Sequence, residues 1–175
     1  MTRVYEGRRV KVEVFSLLLP NGRGMKAERV LFPPVVSVLP VVGGSVVLLR
    51  QFRPTLGVYH LEIPSGVVEE GEAPEAAAAR ELEEEAGLKA TRLELLFEGV
   101  VSPGYSTEYS YIFLAEDPER ARPRQEEYEV IETLEIPLSK AFEMLRSGHI
   151  RDMRTALALS LYFMKKNSDS LSRRL

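Results

Sequence analysis

Two kinds of apolar pattern alternate along this chain. Val35–Val42 and residues 45–52 are β-branched runs joined by Gly43-Gly44, a pattern that predicts a hairpin of buried strands. Before them, residues 8–19 and 25–32 flank Asn21-Gly22 and read as an antiparallel pair. Residues 60–64, 91–101, 109–115 and 130–136 read as further strands. Helical spacing appears in three places: residues 74–86, 138–147 and 152–166. In the last, Met153, Leu157, Leu161 and Met164 form one apolar stripe, expected to face the core or a partner subunit. Strands before and after a central helix predict an α/β (α+β) sandwich. No internal repeat or composition break divides it. We expect one domain over residues 1–175: an N-terminal β-hairpin region (1–34), a core (35–166) and a polar, frayed tail (167–175).

The central helix carries the candidate chemistry. Pro74 suits its first turn, where a missing N–H costs nothing. The alanines at 76–79 favour helix strongly, and Gly87 is a natural stop. Glu81 and Glu85 then share a face, with Glu84 beside them. Crowded carboxylates repel, and a hard divalent cation that prefers oxygen ligands offsets the repulsion. Ala79, Leu82 and Ala86 supply the face expected to pack on a sheet. Gly66 is expected to turn the chain tightly ahead of the helix, bringing the Ser65 carbonyl into the metal's reach. A Glu-rich helix by itself is usually only a solvated face.

Charge and composition narrow the classes. Acidic residues number 26 against 23 Lys and Arg, so a nucleic-acid surface is disfavoured. There is no cysteine, which excludes disulfides and thiolate metal sites. No apolar run has the length of a signal peptide or a membrane span, so a cytoplasmic protein without a membrane partner is expected.

Gly66, Glu72, Arg80, Glu81, Leu82, Glu84, Glu85, Gly87 and Leu88 occupy every required position of the Nudix box, with its spacers intact. At ordinary residue frequencies a chance match of that pattern is on the order of one in a million. The chain therefore resembles the Nudix hydrolases, and in three further features their ADP-ribose pyrophosphatase subfamily. These are Ser102-Pro103-Gly104 after the box, Gln51-Phe52-Arg53 with Glu62 before it, and the acidic stretch Gln125-Glu126-Glu127-Tyr128-Glu129.

The resemblance implies a mixed sheet between helices with an N-terminal antiparallel sheet that pairs subunits into a homodimer. It implies Mg²⁺-dependent hydrolysis of ADP-ribose to AMP and ribose 5-phosphate, with Mn²⁺ as a possible substitute. Glu81, Glu85, Glu84 and the Ser65 carbonyl would hold the metal. Arg53 would meet a phosphate, whose oxygens a guanidinium matches in a bidentate way. Glu62 would orient Arg53 or meet substrate, and Gly104 and Glu127 would lie at the substrate. Glu129, in register just before a strand, is the first choice for the group that activates water; Glu84 is the second, and Glu81 shares the catalytic face. Arg80 is expected to brace the acidic helix. His60 and His149 receive no role. Two alternatives stand: a relative acting on another nucleotide sugar or a dinucleotide, and a non-catalytic ligand sensor. Sensors of this kind usually lose box carboxylates, and every one is present here.

Overall fold

A computed structural model describes residues 1–8, 10–124 and 130–172. Three strands open the chain: β1 (Thr2–Glu6), β2 (Lys11–Leu18) and β3 (Gly24–Leu31), paired antiparallel as a separate sheet in the order β1-β2-β3. The expected hairpin is thus a three-stranded sheet. Gly7 donates to the Val10 carbonyl and turns the chain where the strand had been expected to begin. Every residue of β1 is exposed, so no hydrophobic alternation marked it.

The main sheet follows. Its strands are β4 (Val35–Val42), β5 (Ser45–Arg53), β6 (Val58–Glu62), β7 (Ser65–Val67), β9 (Glu94–Val100), β10 (Tyr109–Glu116) and β12 (Ile131–Pro137). The main path is β12-β5-β4-β10-β9, with β6 beside β5 and β7 beside β4; β4 and β10 run parallel and the other pairs antiparallel. Two-residue strands β8 (Leu88–Lys89) and β11 (Glu119–Arg120) pair apart from it. Gly43 and Gly44 both take positive φ in the β4–β5 turn, as that hairpin signal requires.

Helix α1 (Pro74–Ala86) covers one face of the main sheet. Helices α2 (Leu138–Arg146) and α3 (Met153–Ser172) cover the other. β4 is buried on both sides, which is why it reads as a continuous apolar run rather than an alternation. Val36 and Val38 pack toward α1, Leu39 and Val41 toward α3. No helix among the described residues is long and apolar enough to cross a membrane.

Helix α1 has the expected bounds, and Gly87 stops it in the left-handed conformation, its N–H bonded to Leu82 and Glu83 carbonyls. Its packing face is Ala77, Ala78 and Leu82 rather than Ala79. The α3 expectation changes more. Met153 and Met164 are exposed, while Thr155, Ala158, Leu159 and Tyr162 are buried. Thr155 and Ala158 are small and escape a search for large apolar side chains, while Leu159 and Tyr162 lie one position round the helix from Ala158 and Leu161. The helix also runs past Lys166 to Ser172, where a frayed tail was expected; the Ser168 hydroxyl bonds back to the Met164 carbonyl at 3.0 Å within that extension.

Candidate active site

β4 and β5 pair only beside their turn, at Val41–Val46 and Val42–Ser45. Beyond that they splay, and β6 and β7 enter the gap. The carboxylate helix α1 packs directly on β7. A cavity of about 790 Å³ lies there, ample for a nucleotide-sized ligand. Glu69, Glu81, Glu84 and Glu85 line its acidic side, next to Ser65 and Gly66. Arg53, Arg80 and Arg124 also line it, and the N-terminal sheet contributes Arg3, Arg8 and Lys11.

Arg80 organises the acidic side. Its guanidinium makes a two-pronged bond to Glu72, both contacts at 3.0 Å, and bonds Glu81 at 2.6 Å and Glu84 at 3.3 Å. A further bond reaches the Val67 carbonyl at 3.1 Å, tying α1 to β7. Charge-assisted pairing of this kind is about twice as strong as neutral hydrogen bonding. It raises the Arg80 pKa, chiefly through Glu72, so the guanidinium stays charged. In return it holds the Glu72 carboxyl below the usual carboxylate range, with help from the Glu69 N–H. The bracing role expected of Arg80 is what the structure shows.

Glu85 departs from expectation. It is buried, at 3 % exposure, and its Oε2 accepts the Ser65 N–H at 2.7 Å. The helix carboxylate and the loop that carries the candidate carbonyl ligand are therefore bonded together. Gly66 also has a different reason from the one expected. It lies in β7, and a Cβ there would stand 2.0 Å from Glu81 Oε1. Glycine is needed for the close approach of a carboxylate, not for a tight turn.

Arg53 reaches the cavity from the end of β5. Its Nε donates to both Glu62 oxygens, at 2.9 and 3.1 Å, and its second nitrogen also bonds Glu62. Glu62 is buried and does not itself line the cavity, so of its two expected roles the structure supports orienting Arg53. The pairing raises the Arg53 pKa, Glu62 contributing most. Gly104 lies on an exposed turn outside the cavity. Glu127 and Glu129 lie outside the described residues.

Several lining residues escaped the sequence reading. Thr107 accepts the Phe32 N–H at 2.9 Å and so pins the β3–β4 junction beside the cavity. Arg8 and Lys11 belong to the basic run GRRVK, unusual in an acidic chain, and that run was their one available signal. Nothing in the sequence linked it to a helix seventy residues on.

The donor set suits a hard divalent cation: glutamate oxygens that line one cavity, with a backbone cradle that a Cβ at Gly66 would fill. Among the described residues no three such ligands are already gathered at one point; Arg80 and the Ser65 N–H engage carboxylate oxygens instead.

The NUDIX domain model matches residues 31–156. The chain belongs to the Nudix family. Among its relatives is the ADP-ribose pyrophosphatase of Bacillus subtilis (strain 168), 35% identical, the match covering 94% of this chain and 90% of that protein. A GDP-mannose pyrophosphatase of Salmonella arizonae is 40% identical, over 86% of this chain and 85% of that one. A solved structure of an ADP compounds hydrolase superposes with a TM-score of 0.85 at 26% identity, covering 96% of this chain and 92% of the other. This Nudix chain thus carries the family's box on α1, its mixed sheet between helices, and an N-terminal sheet in addition.

Proposed function

We propose that this Nudix enzyme hydrolyses the pyrophosphate bond of ADP-ribose to AMP and ribose 5-phosphate, with Mg²⁺ as its metal and Mn²⁺ as a substitute. The observation that carries the reading is the meeting of Glu81, Glu84 and Glu85 with Ser65 and Arg53 in one cavity. The Bacillus subtilis relative supports the choice of ADP-ribose, and the GDP-mannose relative favours a nucleotide sugar as the second reading.

Glu81, Glu85, Glu84 and the Ser65 carbonyl would hold the metal. When bound, it supplies Lewis acidity toward phosphoryl oxygens and toward water. Arg53, held by Glu62, binds a phosphoryl group. Arg80 keeps the α1 carboxylates in place. A carboxylate must take the proton of the attacking water; in this reading Glu129 has that role, Glu84 is the alternative, and Glu127 contacts substrate. Arg8 and Lys11 add positive potential that draws an anionic substrate toward the acidic side.

A panel of ADP-ribose, GDP-mannose, other nucleotide sugars and dinucleotides, with Mg²⁺ and products resolved by chromatography, tests the reading. Release of AMP from ADP-ribose at the highest kcat/KM is expected. Turnover of none of them would leave the sensor class.

Arg53→Ala is expected to raise KM for ADP-ribose more than it lowers kcat, because a phosphate contact acts alike in ground and transition states. It also leaves buried Glu62 without its partner. The expected loss of stability is about 2 kcal/mol, below the range for a fully buried pair, since Arg53 is 29% exposed. Steady-state kinetics with a thermal melt reads both; an unchanged KM removes Arg53 from the binding site.

The protein is a homodimer joined through its N-terminal sheet. That sheet exposes Val4, Tyr5, Leu18 and Met25, and it meets the core through bonds such as Val30 N–H to the Tyr105 carbonyl. Light scattering should give twice the chain mass of 19.7 kDa, and a monomer's mass would sink the assignment.

A further inference from the structure

The link between β6 and β7, residues 62–65, crosses the gap left by the splayed strands. It also joins the two halves of the site, with Glu62 holding Arg53 at one end and Ser65 bonded to Glu85 at the other. Its backbone is held from several elements. Val38 on β4 donates to the Pro64 carbonyl at 2.9 Å. The Ile63 N–H donates to Thr155 Oγ1 on α3, 92 residues away, at 2.9 Å.

Thr155 is fully buried, and its hydroxyl is committed on both sides. It donates to Asp152 Oδ2 at 2.7 Å, and the same oxygen accepts the Thr155 N–H at 2.8 Å, capping the start of α3. A hydroxyl has one proton to give. With that proton spent on Asp152, a lone pair faces Ile63. Asp152 thereby orients the hydroxyl, and the hydroxyl fixes the link. Asp152 also lies close enough to help hold the Arg53 pKa up, after Glu62 and Glu85. A helix needs only the cap; the bond across to Ile63 is additional, and it ends one residue from Glu62 and two from Ser65.

We infer that Thr155, oriented by Asp152, is a positioning residue for the hydrolytic site, setting where the 62–65 link presents Arg53 and Ser65 to the α1 carboxylates. The inference rests on the proposed metal-dependent pyrophosphatase reading and deepens it.

The test compares Thr155→Val, which keeps the shape and loses the hydroxyl, with Thr155→Ser, which keeps the hydroxyl. Three quantities are read on the full chain: the melting temperature, Mn²⁺ and Mg²⁺ binding by calorimetry without substrate, and kcat on whichever nucleotide sugar the wild type prefers. Misplacement of reacting groups by about 1 Å costs on the order of 10²-fold, so a 10- to 100-fold loss of kcat is expected for Thr155→Val, with several-fold weaker metal binding. Thr155→Ser should restore both. Thr155→Val that melts lower yet keeps wild-type kcat and metal affinity would overturn the inference, leaving Thr155 a packing group. Should Thr155→Val not fold, Thr155→Ala against Thr155→Ser makes the same comparison, with the same two outcomes. A wild type that neither binds metal nor turns over any substrate sinks the functional reading instead, so the two failures are distinct.

Discussion

Glu85→Gln is expected to lower kcat by roughly 10³-fold or more while the protein stays folded, equivalent to about 4 kcal/mol of transition-state stabilisation. The substitution keeps the side-chain shape and exchanges a charged group, the proposed metal ligand, for a neutral one. Its effect on stability is small but not zero. Glu85 is buried, and its Oε2 accepts the Ser65 N–H at 2.7 Å. A glutamine oxygen still accepts that bond, now without charge assistance, which costs about 1 kcal/mol. A thermal melt alongside kcat at saturating Mg²⁺ separates the two effects. Near-wild-type turnover would remove Glu85 from the metal set.

Gly66→Ala is the second large effect, and it divides activity from stability more sharply. The new Cβ would stand 2.0 Å from Glu81 Oε1 and 2.1 Å from its carboxyl carbon. The three nearest atoms all belong to the end of a flexible side chain. The fold therefore accommodates the methyl by swinging Glu81 aside, at a cost of about 1–2 kcal/mol, most of it the lost charge-assisted bond to Arg80. Swinging it aside breaks the 2.6 Å bond to Arg80 and takes Glu81 from its place against Gly66 in the cavity. A fall in kcat of at least about 10²-fold is expected, with weaker Mg²⁺ activation and a melting temperature within a few degrees of wild type. Comparison with Glu81→Ala checks the cause: the two variants should be similarly impaired, and the double variant little worse than either. Wild-type kcat in Gly66→Ala would show that Glu81 acts from another position.

The Gly66→Ala prediction and the stability arm of Glu85→Gln needed the tertiary structure, although both substituted residues belong to the box that the sequence displays. The box is legible because its chemistry is local. Glu81, Glu84 and Glu85 share a face by helical spacing alone, and Pro74 and Gly87 mark the helix ends through properties of their own backbones. Strands β4 and β5 were legible for a similar reason, since β-branched runs about a Gly-Gly turn have few other solutions. Strand β1 was not legible, because an exposed strand carries no hydrophobic alternation. The inner face of α3 was only partly legible: Leu157 packs on the core as expected, but Thr155 and Ala158 share that face and carry no large apolar signal. Of the site, Arg53 was readable as a phosphate contact, but whether Glu62 orients it or meets substrate itself was not.

The sequence by itself therefore determined the family, the bounds of the carboxylate helix and the acidic set on its face, while the mixed sheet between helices followed from the family resemblance. The first three depend on residues near one another in the chain. The tertiary structure alone decided that Glu85 is buried against Ser65, that Gly66 makes room for Glu81, and that Arg8 and Lys11 line the same cavity. It also decided that Thr155 holds the link between the two halves of the site. The physical reason is common to all four: burial and close approach arise from pairings across tens of residues, set by where β4 and β5 part and how α1 and α3 pack over the gap.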